Sequence, residues 1–192
     1  MNDALGDRMK NYYENRYRIY LTRRTPVIIR VDGNAFHTFT KGLERPFDAD
    51  FMDIMQKTCK ELCENIQGCV GGYVQSDEIS LLLIDYQNIN TDAWFNYNLQ
   101  KIISLAAAMA TCTFNRLVGE LVASLAASGY ALSQFEDSED DEAECWRKYN
   151  IWASKQNCAI FDARAFNIPK EDVTNYFIWR QKDATRNSIQ SA

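Results

Sequence analysis

The stretch GGYVQSDEISLLL, residues 71–83, constrains this chain more than any other. It reads as two short strands with four polar residues between them, Gln75-Ser76-Asp77-Glu78. Cys69, Val70, Tyr73 and Val74 lead in, and Ile79 and Leu81 to Ile84 follow. A tight turn is served by Gly, Asn or a lone Asp. Adjacent carboxylates at the tip of a hairpin bound for a core need another explanation. Either the tip is solvated, or it is half of a metal site.

The rest of the chain supplies the partners of that hairpin. VIIRVD, residues 27–32, is a β-branched run suited to a buried strand. CAIFDARAF, 158–166, reads as a fourth strand. Residues 3–22 space Leu5, Met9, Tyr12, Tyr13, Tyr17 and Tyr20 by three and four, which predicts an amphipathic helix. After a loop, GNAFHTFTKGLERPF, Asp48 caps a helix with the stripe Phe51, Met55, Cys59, Leu62 and Ile66, closed by Gly68. A long helix with an alanine-rich middle is expected over about 93–126, and Pro169 opens a last one. Between them, Glu136 to Glu144 holds seven acids in nine residues and reads as a solvated loop of about 134–146.

The order is helix, then β-α-β-β-α-β, then helix. This is the split βαβ of an α+β, ferredoxin-like sheet, in one domain over residues 1–192. In that topology the first and third strands are central neighbours, and the hairpin tip lies at the end where the first strand finishes. Asp32 therefore lands beside Asp77 and Glu78. Carboxylates so gathered repel one another unless a divalent cation neutralises them. An all-oxygen set suits Mg²⁺, and the Gly33 carbonyl can approach an ion without side-chain obstruction. Two such ions can activate an attacking oxygen and stabilise a leaving pyrophosphate, as in the palm of polymerases and nucleotide cyclases. Asp-Gly after a strand is a common turn, and a hairpin acid is common surface. Together, in this topology, they favour the metal site.

Bulk properties narrow the class. Hydrophobic residues make up 46% of the chain, enough to fill a core. The net charge of −5 disfavours a generic nucleic-acid coat, although without the acidic run the chain is slightly basic. Six cysteines with no CxxC pair, beside a single histidine, argue against structural zinc. They read as free, mostly buried thiols of a reducing, cytoplasmic compartment. No stretch approaches the roughly 20 apolar residues of a membrane span, and the polar, tyrosine-rich N-terminus is unlike a signal peptide.

RVDGNAFHTFTK with ERPFD, then GGYVQSDEISLLL, then FDARAFNIP and WRQKDATRNSIQ resemble, in this order, the tRNA-His guanylyltransferase family over about residues 20–190. These enzymes add nucleotides in the 3′-to-5′ direction to the 5′ end of tRNA. The resemblance implies two Mg²⁺ ions on Asp32, the Gly33 carbonyl and Asp77, with Glu78 as an adjacent essential acid. It implies GTP, ATP or another nucleoside triphosphate as substrate. Gly33, Asn34, Phe36, His37, Lys41, Arg45, Ser76 and Lys101 become candidate nucleotide or triphosphate contacts. On residues alone, His37 is equally a hydrogen-bonded side chain and Lys101 equally a solvated one. Arg180, Asp183 and Asn187 share one helix face, flanked by Arg186, which is either an exposed face or an RNA surface. The family's dimers or tetramers imply a homo-oligomer.

Two features depart from the eukaryotic pattern. ATRNSIQ stands where those enzymes carry His-Ile-Asn-Asn, which is similar to the guanylyltransferase-like proteins that repair 5′-truncated tRNAs. Family members also continue past the last helix, so the usual C-terminal region is expected to be absent. Two other readings remain at this point. One is a cyclase-like palm enzyme without an RNA substrate. The other is a non-catalytic nucleotide- or RNA-binding remnant.

Overall fold

The computed structural model describes residues 3–133 and 139–191, without the side chains of 139 and 187–191. Four strands, β1 (Val27–Gly33), β2 (Cys69–Gln75), β3 (Glu78–Leu83) and β4 (Phe161–Asn167), form one antiparallel sheet in the order β2-β3-β1-β4. This is the ferredoxin-like arrangement predicted from the element order. Along β1 and β3 the register runs from Val27↔Leu83 to Asp32↔Glu78.

The period of two sorts the sheet into faces. Val27, Ile29, Val31, Ile79, Leu81, Leu83 and Phe161 join the hydrophobic core under α3 (Ala49–Asn65) and α4 (Leu99–Leu132). Asp48 caps α3 as expected, accepting from Phe51 N at 2.9 Å. By length and composition α4 could cross a membrane, which the sequence reading did not anticipate. Here it buries Ile102, Ala106, Ala110, Phe114 and Val118 in the core, and the small alanines let it approach closely.

On the opposite face Tyr73, Glu78, Ser80 and Phe166 meet α6 (Val173–Ser191). The Tyr176 and Ser80 hydroxyls are 2.8 Å apart, and Phe166 packs edge-on to Tyr176. The sheet is thus sandwiched between α3/α4 and α6.

Three expectations change. The acidic loop gives way from Glu139 onward to a helix, α5 (Glu139–Ala153). Its acids crowd the first turn, where they complement the helix dipole. Trp146, Tyr149 and Trp152, spaced by three, turn toward α4 and the core; Gly129 leaves room for the Trp146 indole, which an added Cβ would meet at 2.8 Å. Charge density hid that aromatic spacing. Residues 134–138 lie outside the described residues. The N-terminal helix is shorter than 3–22: α1 (Ala4–Tyr12) ends where Tyr13 leaves helical geometry, and a 3₁₀ turn, Glu14–Tyr17, follows. Its apolar stripe is exposed throughout. Finally, Cys112 and Cys158 are exposed rather than buried, though all six thiols are free. Cys59, Cys63 and Cys69 gather between α3 and β2, where the Cys69 thiol donates to the Gly71 carbonyl at 3.5 Å.

Candidate active site

The hairpin turns more tightly than the four polar residues suggested. Gln75 and Glu78 are the last ladder pair, so only Ser76 and Asp77 form the turn. Ser76 takes a left-handed φ of 51°. Beyond the register pair Asp32↔Glu78, Gly33 N–H donates to the Asp77 carbonyl at 3.0 Å. The end of β1 and the hairpin tip are therefore joined, as the topology argument required. Burial, and after it the negative charge of Asp32, hold the Asp77 carboxyl above the usual carboxylate range, against hydrogen bonds from its own N–H and from Ser76.

A cleft of about 370 Å³ opens at this end of the sheet, lined by Gly33, Ala35, Phe36, His37, Thr40, Ser76 and Asp77. After Gly33 the chain turns through Ala35 (φ 56°) into a single helical turn, α2 (Phe36–Phe39). Phe36 is buried beneath the cleft, stacked on Phe39 and edge-on to Phe114. A Cβ on Gly33 would stand 2.4 Å from the Phe36 ring, so glycine is required by contact. His37 is exposed at the rim.

The structure distributes the remaining candidates unevenly. Asn34 is exposed beside the cleft, its N–H donating to the Ile160 carbonyl at 2.8 Å. Lys41 and Arg45 are exposed on the loop after α2. Lys101 is not brought to the cleft. It sits in the first turn of α4, over the Phe95 ring at 4.2 Å, thirteen residues before Phe114. At 1.5 Å per residue that is roughly 20 Å away.

Glu78 is buried on the α6 face rather than presented in the turn. Both its oxygens accept from Arg180, at 2.8 Å each, and Arg30 Nε lies 3.8 Å away. Arg180 is accordingly buried, and Asp183 pairs with it at 3.1 Å instead of forming an open face. Arg186 is exposed, and the Asn187 side chain lies outside the described residues.

Sequence reasoning missed three groups. Asp162 and Arg164 share the Asp32 face by simple alternation in FDARAFN, so the signal was present. Arg164 reaches Asp162 at 3.0 Å and Asp32 at 3.8 Å. Glu78, Asp32 and Asp162 form one cross-strand row, and the arginines offset their repulsion. Lys155 had no signal. It is buried, and its ammonium donates to the carbonyls of Phe39 and of Lys41, the latter at 2.9 Å, tying down the loop that walls the cleft.

Among the described residues no three His, Cys, Asp or Glu side chains assemble as a ligand set. Two carboxylates, Asp32 and Asp77, are available beside the Gly33 backbone. This all-oxygen donor set fits Mg²⁺, which keeps waters and takes phosphate oxygens for its other positions.

The family model for tRNAHis guanylyltransferase matches residues 6–169. The chain belongs to the tRNAHis guanylyltransferase family. A bacterial tRNA(His) guanylyltransferase-like protein, solved in complexes with ATP and with GTP, is 43% identical with a TM-score of 0.76. The match covers 98% of this chain and 69% of the ATP-bound chain. Among curated family relatives, the probable tRNA(His) guanylyltransferase of Mus musculus is 26% identical over 85% of this chain and 45% of its own length. An uncharacterised protein of Acanthamoeba polyphaga mimivirus is 27% identical over the whole chain and 62% of its own. The chain thus spans between about half and two thirds of these curated relatives.

Proposed function

We propose that this chain is the palm domain of a nucleotidyltransferase that adds nucleotides in the 3′-to-5′ direction to the 5′ end of tRNA or a related structured RNA. The observation that carries the reading is the joined strand end and hairpin tip in a chain of this family: Gly33 and Asp77 line a cleft of nucleotide size, and Asp32 stands at the strand end next to them, close enough for its charge to act on Asp77. The ATP- and GTP-bound relative supports a nucleoside triphosphate as substrate. Asp32, Asp77 and the Gly33 carbonyl would hold Mg²⁺, which supplies hydroxyl activation and charge neutralisation at the transferred phosphate. Glu78 acts from behind, held by Arg180 and kept off the cleft. His37, Ser76 and the Lys41–Arg45 loop face the triphosphate, and Lys155 holds that loop in place. The 3′-hydroxyl of the nucleotide attacks the α-phosphate of an activated RNA 5′ end, releasing pyrophosphate or AMP. A cytoplasmic location and assembly into a dimer or tetramer belong to the same proposal and rest on the family resemblance.

The test is 5′-extension of a 5′-truncated tRNA carrying a 5′-triphosphate, with Mg²⁺ and each labelled nucleotide in turn. Template-matched addition supports the repair-type reading, and Asp77→Ala abolishes it. Full activity in that variant sinks the site assignment.

A further inference from the structure

The segment before β1 is the part of the fold that the proposed chemistry leaves unused. No residue of α1 or of the 3₁₀ turn Glu14–Tyr17 is buried. Yet Tyr12, Tyr13 and Tyr17 are 63, 56 and 80% exposed, a concentration of aromatic surface that makes no ring contact among the described residues. The same segment holds two acids, Asp7 and Glu14, and beside Arg18 three further cations, Arg8, Lys10 and Arg16. None of these three makes an ion pair among the described residues, whereas Arg18 is neutralised by Glu14.

We infer that this arm, residues 4–18, docks the body of the RNA whose 5′ end occupies the cleft; the inference rests on the function proposed above. Exposed tyrosine rings close to cations that make no ion pair combine the two features that hold RNA, stacking on bases and neutralisation of phosphates. Charge favours this occupant: residues 4–18 carry four cations against two acids, a local excess of positive charge in a chain whose net charge is −5. Placement agrees. The arm joins the body where Tyr20 bridges Asn98 and Leu99 N–H donates to the Ile19 carbonyl at 2.8 Å, at the N-terminal end of α4. That end is roughly 20 Å along α4 from the Phe114 that underlies the cleft. A mononucleotide cannot span this distance, and a base-paired stem can.

The experiment uses the full chain and two triple variants on exposed positions, R8Q/K10Q/R16Q and Y12A/Y13A/Y17A. Binding of a 5′-triphosphate acceptor-stem minihelix is measured by fluorescence anisotropy from 50 to 200 mM salt. ATP binding and sedimentation are followed in parallel. Both variants should weaken RNA binding by about tenfold or more at low salt. The arginine–lysine variant should flatten the log–log salt slope by about 2 to 3, and ATP affinity should stay unchanged. Wild-type RNA binding in both variants, with an unchanged slope, overturns the arm and leaves the cleft assignment standing. Loss of self-association in the tyrosine variant with RNA binding intact reassigns the face to protein contact. A wild-type chain that binds no RNA overturns both the arm and the functional reading.

Discussion

Replacing Arg180 by Met tests the link between α6 and the site most sharply. In the wild type the Arg180 and Glu78 side chains are 8% and 10% exposed, too dry for solvent screening to discount their pairing. Two hydrogen bonds of 2.8 Å join them. Burial pulls the guanidinium pKa down, and the Glu78 carboxylate more than restores it. Met fills much the same volume, so the variant leaves a buried carboxylate without its main partner. Breaking such a pair costs about 3–5 kcal/mol. Arg30 lowers that figure: its Nε is buried without a hydrogen-bond partner and is 3.8 Å from Glu78, so it can move to the vacated oxygen. We therefore expect about 3 kcal/mol, which at this chain length is a fall in Tm of roughly 6–12 °C. Urea denaturation of R180M, E78Q and the double variant closes the cycle. The double variant should cost less than the sum of the singles, because neutralising Glu78 removes the stranded charge. A loss below about 1 kcal/mol in R180M, or strict additivity, would refute the argument that the pair latches α6 to the sheet.

Other expected outcomes follow from single contacts. Asp77→Asn should stabilise the fold at neutral pH while abolishing transfer. The native Asp77 pKa is raised, so its ionisation opposes folding as pH rises above the ordinary carboxylate value. The gain in Tm should vanish as pH falls below that value, and a gain that persisted there would contradict the assignment. Gly33→Ala should displace the Phe36 ring and cost about 1–3 kcal/mol, read by denaturant melts, with loss of ATP binding. Lys155→Met strands two carbonyls at about 1–3 kcal/mol each and should raise KM for the nucleotide more than it lowers kcat, with Lys155→Arg recovering part.

What the sequence disclosed about this fold was what periodicity encodes. The run VIIRVD and the hairpin 71–83 carry strand patterns strong enough to order the sheet, and the order placed Asp32 beside the hairpin acids. Orientation was less legible. Glu78 adjoins Asp77 in sequence, but the period of two sends its side chain to the α6 face, where a residue 102 positions away neutralises it. Arg180 read as an exposed helix position because its partner is non-local. Lys101 was drawn in by charge type, and only the length of α4 shows that it stands at the far end. Helix α5 went unseen because seven acids outweighed three aromatic residues spaced along its inner side.

The bond from Gly33 N–H to the Asp77 carbonyl has a mechanical consequence. All the residues that line the cleft come from two short segments, 33–40 and 76–77, and none from α6. That bond is the outermost main-chain tie between the two walls, one step beyond the pair Asp32↔Glu78. It ties the Ser76-Asp77 tip to the end of β1, so the backbones that carry Asp77 and Asp32 are spaced by the same ladder whose inner residues pack the core. A core substitution that slid β1 against β3 would therefore misplace both carboxylates without touching either.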